Sequence, residues 1–140
     1  MGHINLGRVV LGGLVAGLAI NLSEALLNGV VLAEEMNAMM AAMNKPPING
    51  GMVGLFVLMG FGLGVVLIWL YAAIRPRLGP GVQTAICAGL MVWGLAYLYP
   101  NLTAFIANLF PRRMLVVQTV WGLVELMIAA TAGAWLYREA

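Results

Sequence analysis

Apolar residues gather in four long runs along this chain, and charged residues, prolines and amides mark where each run stops. The runs cover residues 9–32, 52–74, 82–99 and 114–137. Each is long enough for a helix to cross a bilayer, which takes about 17–25 residues. Helix is required there because lipid offers no partner for a backbone N–H or C=O. No sustained alternation of polar and apolar residues points to a barrel. The pattern predicts an all-α integral membrane protein, a single domain over 1–140 built as a four-helix transmembrane bundle.

The connections refine that picture. Arg8 precedes the first run, Arg75-Pro76-Arg77 ends the second and Pro100 the third; Pro111-Arg112-Arg113 opens the fourth and Arg138-Glu139 closes it. Residues 33–44 contain no helix breaker and are rich in Ala, Met and Glu, all good helix formers. The first helix is therefore expected to be extended or kinked, and to stop at Lys45-Pro46-Pro47. Residues 101–110 are too apolar for an aqueous loop and too few to span, so a short interfacial or re-entrant helix is expected before the last span. Gly79-Pro80-Gly81 forms a tight turn that makes the second and third spans antiparallel neighbours. Val82-Gln83-Thr84 recurs as Val117-Gln118-Thr119, too short a match to establish a duplication.

Composition identifies the solvent. Hydrophobic residues make up 63% of the chain and charged residues 9%, with a mean hydropathy of +0.98. A soluble domain of this size leaves too much surface in water to hide so much apolar area. The expected partners are the lipid bilayer and other membrane protein subunits or further copies of the chain. Nucleic acid is not expected, since the net charge is only +2 and is scattered. Arg8, Arg75, Arg77 and Arg138 fall on one side of the predicted topology, and Lys45, Arg112 and Arg113 on the other. That excess places both termini on the cytoplasmic side. Trp69-Leu70-Tyr71 and Trp135-Leu136-Tyr137 read as one aromatic belt, and Tyr97 and Tyr99 as the opposite one. Position 6 lacks the Ser or Thr of a myristoylation motif. No A-x-A-like cleavage site follows the first run, so the first segment reads as retained.

Chemistry is sparse. Cys87 is the single cysteine and His3 the single histidine, and the chain has no Asp. An internal disulfide, bis-histidine haem and a histidine metal cluster are excluded. There is no phosphate-binding loop, nucleophile elbow or metal-ligand spacing, so no enzyme activity, cofactor or metal is expected.

What remains is a polar stripe inside the first run. At about 100° per residue, Asn21, Glu24 and Asn28 share a helix face, continued by Gly13 and Gly17 on one side and Glu35 on the other. Glu125 lies mid-run in the fourth span, with Gln118, Trp121 and Gly122 on its face. Glu24 follows Arg8 by sixteen residues, about 24 Å of helix, and Glu125 precedes Arg138 by thirteen, about 20 Å. The first and last helices run antiparallel, so the two carboxyls are expected at one level, with the helices packed together. A charge there costs about 3 kcal/mol or more unless it is protonated or partnered.

Three readings follow. The residues form a proton-exchanging or cation-binding site with Asn21, Asn28 and Gln118 as neutral partners; or they bond across helices, contributing about 1 kcal/mol each; or they meet another subunit. Gly13 with Gly17, Gly60 with Gly64, and Gly50 with Gly54 are pairs of small residues four apart that let helix backbones approach closely. Met36, Met39, Met40 and Met43 read as an adaptable amphipathic face rather than a copper site. Thr84, Cys87 and Met91 share a face of the third span, and a thiol at that depth is inert.

The segments LGGLVAGLAINLSEALLNGVVLAEE, WLYAAIRPRLG, CAGLMVWGLAYLYP and VWGLVELMIAATAGAWLY resemble a group of small bacterial membrane proteins that span four times and have no assigned activity. The resemblance covers nearly the whole chain. It implies the four-helix fold and a bacterial inner membrane, and no function. Small multidrug transporters also carry a glutamate in their first helix. Their aromatic pattern around it is missing here, and they lack a second glutamate in the last helix. The functional expectation is a non-catalytic accessory or scaffold subunit of a larger membrane assembly, or a homo-oligomer. The alternative is a small proton- or cation-coupled transporter or channel using Glu24 and Glu125.

Overall fold

The computed structural model describes residues 3 to 138. Met1 and Gly2, at the start of the myristoylation motif considered above, and Glu139, at the end of the last run, lie outside the described residues. Five helices follow one another: α1 Leu6–Val31, α2 Ala33–Ala42, α3 Gly50–Leu78, α4 Val82–Ile106 and α5 Arg112–Leu136. All but α2 are long and apolar enough to cross a membrane, and the described residues contain no strand. The protein is an all-α integral membrane bundle.

Asparagines fix several helix ends. Asn5 and Asn49 stand at the N-caps of α1 and α3, where their Oδ1 atoms accept the N–H of Arg8 at 3.1 Å and of Met52 at 3.0 Å. Asn44 and Asn108 follow α2 and α4 in the left-handed region, with φ of 53° and 52°, a conformation asparagine tolerates. Each closes a Schellman pair: Lys45 N–H to Met40 O at 2.9 Å with Asn44 N–H to Ala41 O at 3.0 Å, and Leu109 N–H to Ala104 O at 3.0 Å with Asn108 N–H to Phe105 O at 3.2 Å.

Proline does not end the helices where the pattern placed their limits. Pro76 lies inside α3, which continues to Leu78. Pro100 sits in the first turn of the short helix Tyr99–Ile106 that precedes the last span. That helix is joined to Val82–Trp93 through a π turn, Gly94–Leu98. A proline lacks the N–H and crowds the carbonyl four residues back, and a wider turn placed just before it relieves both. A second π turn, Leu27–Val31, closes α1. The chain then bends at Leu32 (φ −112°, ψ 12°) into α2, so the first helix is kinked rather than continuous.

Small residues set the crossings. A Cβ on Gly13 would lie 2.6 Å from Val65 Cα, and one on Gly17 would lie 2.7 Å from Phe61 Cα. Gly64 rests against the backbone of Gly13 and Gly17, and Gly60 against the side chain of Asn21. These four glycines therefore form the α1–α3 contact. Gly12 and Gly133 bring α1 onto α5, where a Cβ on either would lie 2.6 Å from the other's carbonyl oxygen. Beside them Ala16, Leu67, Ile68, Ala88, Leu126 and Ala129 are fully buried. Glycine spacing alone did not specify a partner: a Cβ on Gly50 or Gly54 would meet nothing within 4 Å.

One end of the bundle is closed by aromatics. Tyr71 and Tyr137 meet edge to face at 5.9 Å. The Arg75 guanidinium lies 5.6 Å from the Tyr137 ring centre, and the Tyr137 hydroxyl accepts the N–H of Asn5 at 3.3 Å. The two Trp-Leu-Tyr segments therefore divide, with Trp69 and Trp135 exposed and Tyr71 and Tyr137 buried. Two residues of helix turn through about 200°, so only one aromatic of each segment can face lipid. The turn between α3 and α4 uses Gly79 at φ +83° and Gly81 at φ +127°, with the Thr84 hydroxyl donating to Gly79 O at 2.6 Å.

Candidate functional site

Glu24 and Glu125 meet through a third residue, Tyr97. Its hydroxyl lies 2.8 Å from Oε1 of Glu24 and 2.6 Å from Oε1 of Glu125. Glu125 comes from the middle of α5 and is only 4% exposed. Its Oε2 is buried without a hydrogen-bond partner. Glu24, from α1, is half-buried. Its Oε2 accepts a hydrogen bond of 2.7 Å from Nδ2 of Asn28, which also reaches the Glu24 main-chain oxygen at 3.1 Å.

Local backbone structure builds this arrangement. Asn28 stands in the π turn of α1 and Tyr97 in the π turn of α4. Such turns recur at functional sites because they shift side chains out of the ordinary helical register. The Tyr97 ring needs a gap in α5, and Gly122 supplies it: a Cβ there would come within 2.6 Å of the ring. A polar lattice supports the site from both sides. Trp121 donates from Nε1 to Ser23 Oγ at 2.8 Å, joining α5 to α1. Trp93 donates to Thr119 O at 2.9 Å and Asn101 to Thr119 Oγ1 at 3.0 Å, joining α4 to α5.

The stripe expected on α1 is thus divided between two neighbours. Asn21 donates to Val57 O at 3.1 Å, across the α1–α3 contact, and takes no part in the carboxyl cluster. Beyond this contact, α3 becomes exposed toward its N-terminus, with residues 50–59 all exposed. There α1 turns its face to α5 instead, through Ser23 and Leu27. No hydrogen bond from Gln118 reaches the cluster; on α5 Trp121 and Gly122 serve it. Glu35 lies outside it, in a salt bridge with Arg113.

Tyr97 is the residue that sequence reasoning placed elsewhere, in an aromatic belt near the bilayer surface. Its spacing from Trp93, four residues, was the available clue: both rings then face one neighbour, and a buried phenol needs a partner for its hydroxyl. No model of a known protein family, no curated protein and no solved structure matches the chain. The site must be read from its own chemistry. Two grooves run along the surface, one of about 260 Å³ beside Leu98, Phe105 and Thr119 and one of about 530 Å³ beside Tyr71, Arg75 and Thr131. Neither is lined by Glu24 or Glu125, so the half-buried face of Glu24 is where the cluster meets its surroundings.

Proposed function

We propose that this protein is a non-catalytic, proton- or cation-coupled transporter or channel of the bacterial inner membrane, with both termini cytoplasmic. The observation that carries this reading is the Tyr97 hydroxyl between two intramembrane carboxyls, one of them almost wholly buried with an unpartnered oxygen. Ionisable groups at that depth are costly and mark ion or proton pathways. The half-buried Glu24 gives the cluster a way out, and the two π turns give α1 and α4 places to flex. Four spans rarely enclose a path alone, so in this reading the working unit contains more than one copy or a further subunit.

Flux measurement tests the reading. The purified protein is reconstituted into vesicles carrying a pH-sensitive dye, and cation- and proton-driven flux is compared for the native chain, Glu24→Gln and Glu125→Gln. Loss of flux in both variants supports the proposal. Flux equal to that of empty vesicles in the native protein would sink it.

A second reading is an accessory or scaffold subunit. One observation favours it: residues 50–59 of α3 are all exposed, Val57 O meeting Asn21 of α1, and a Cβ on Gly50 or Gly54 would meet nothing within 4 Å. Here a partner helix rather than lipid alone covers this third of α3, and the carboxyl cluster serves to hold α1, α4 and α5 together.

A further inference from the structure

The number of hydrogens available to the Glu24–Tyr97–Glu125 cluster is smaller than the number of hydrogen bonds its geometry describes. A phenol carries one hydrogen, and an ionised carboxylate only accepts. Yet the Tyr97 oxygen stands within hydrogen-bond distance of a carboxyl oxygen on each side. With both glutamates ionised, one of these contacts would hold two oxygens together with no hydrogen between them. A second hydrogen is therefore needed, and only a carboxyl can carry it.

The surroundings say which one. Both oxygens of Glu24 face a donor, Tyr97 on Oε1 and Asn28 on Oε2, an arrangement that suits an ionised carboxylate. Glu125 is less well served: it is 4% exposed and its Oε2 makes no close hydrogen bond, with the Ser23 hydroxyl beside the carboxyl, so burial favours the neutral acid. We propose that the ligand of this site is a single proton resident on Glu125, held in a directed chain in which Glu125 donates to Tyr97, Tyr97 donates to Glu24, and Asn28 donates to Glu24 from the other side. Release transfers the Tyr97 hydrogen to Glu24 while Tyr97 takes the hydrogen of Glu125. One O–H bond breaks and one forms at Tyr97, and the excess proton moves from Glu125 to Glu24 and out.

The proposal rests on the proton- or cation-coupled reading and decides between its two ligands. A metal cation takes several free oxygen ligands, whereas three of the four carboxyl oxygens of the cluster are already engaged by Tyr97 or Asn28, and only Glu125 Oε2 makes no close hydrogen bond. The groups around the chain are few. Alpha-helix α1 contributes Glu24, Ser23 and Asn28, α4 contributes Tyr97, and α5 contributes Glu125, Trp121 and Gly122. From α3 no titratable group arrives, because Tyr71, Arg75 and Arg77 lie at the opposite end. Glu35 of α2 and Arg113 of α5 face each other.

Infrared difference spectroscopy on reconstituted protein tests this without measuring transport. The chain's five acidic side chains are all glutamates, and a protonated carboxyl shielded from water has its own carbonyl stretch. At neutral pH the native protein is expected to show one such band. Glu125→Gln should abolish it and Glu24→Gln should retain it. Gly122→Ala, which changes no titratable group but displaces the Tyr97 ring, should shift it in the same direction as Tyr97→Phe. Helix content and elution from size exclusion establish that each variant is folded. The native spectrum stands as a test even if every variant fails to fold. Absence of the band from native protein overturns the proposal, as does a band lost in Glu24→Gln and kept in Glu125→Gln. A native band without flux leaves the proton site standing and removes the transport reading. Flux without a band removes the proton chain and leaves a cation.

Discussion

Tyr97 and Gly122 are matched across the α4–α5 contact. The phenol ring fills the space a side chain on Gly122 would need, with ring carbons Cδ1, Cγ and Cε1 all within 2.8 Å of where its Cβ would stand. A ring cannot give way as the end of a flexible chain does. Gly122→Ala is therefore expected to destabilise the bundle by about 1–3 kcal/mol through overpacking. The loss should largely vanish when Tyr97→Ala removes the ring, a coupling that a double-mutant cycle on detergent-phase unfolding measures. Additive losses would show that the ring is not what Gly122 accommodates.

Asn28 is expected to matter through its side chain. Its Nδ2 serves both Glu24 Oε2 and the Glu24 main-chain oxygen beside the π turn. Asn28→Leu leaves Glu24 Oε2 without this donor, while the Glu24 main-chain oxygen keeps the N–H of Leu27, and stability should fall by about 1–3 kcal/mol. Asn28→Gln, which keeps the amide on a longer arm, should recover part of it. Thermal unfolding of the two variants side by side checks the order.

The α1–α3 crossing depends on the absence of side chains. Gly64→Leu would drive a branched chain into the backbone of Gly13 and Gly17, so separation of α3 from α1 is expected. Proteolysis of the folded protein in detergent, with α3 released early, reads that directly. Gly62→Leu is the control, since nothing lies within 4 Å of its Cβ position, and it should resist cleavage like the native chain.

The exposed third of α3 makes a separate forecast. Nothing lies within 4 Å of the Gly54 Cβ position and Leu58 is 68% exposed, so with Gly54→Leu or Leu58→Arg the isolated protein should unfold as before in detergent. If a partner helix covers this surface, both variants should reduce the mass of the complex extracted in mild detergent, as read by light scattering. An unchanged mass, with the native chain itself monomeric, would exclude the accessory-subunit reading.

Much of the fold was legible because lipid imposes one rule on every residue. A backbone in hydrocarbon must satisfy itself, so length and apolarity alone predict α1, α3, α4 and α5 and their number. The turn at Gly79-Pro80-Gly81 and the stop before Pro46 were legible for the same local reason, since they depend on backbone conformations that neighbours do not alter. Pro100 was misleading because its effect depends on the turn before it: a π turn at Gly94–Leu98 carries the helix through.

The site was legible only in part. Burial of charge in lipid made Glu24 and Glu125 conspicuous, and helical rise put them at one level. Asn21, Gln118 and Tyr97 were not placed by the same reasoning, because a helix face does not say which neighbour it meets. The α1 face meets α3 as far as Asn21 and α5 beyond it. The sequence by itself determined a four-span helical membrane protein with two carboxyls inside its apolar runs. Tertiary structure alone decided that a tyrosine joins them, because a hydrogen bond is set over a few tenths of an ångström and a π turn on α4 and a missing side chain on α5 together supply that placement.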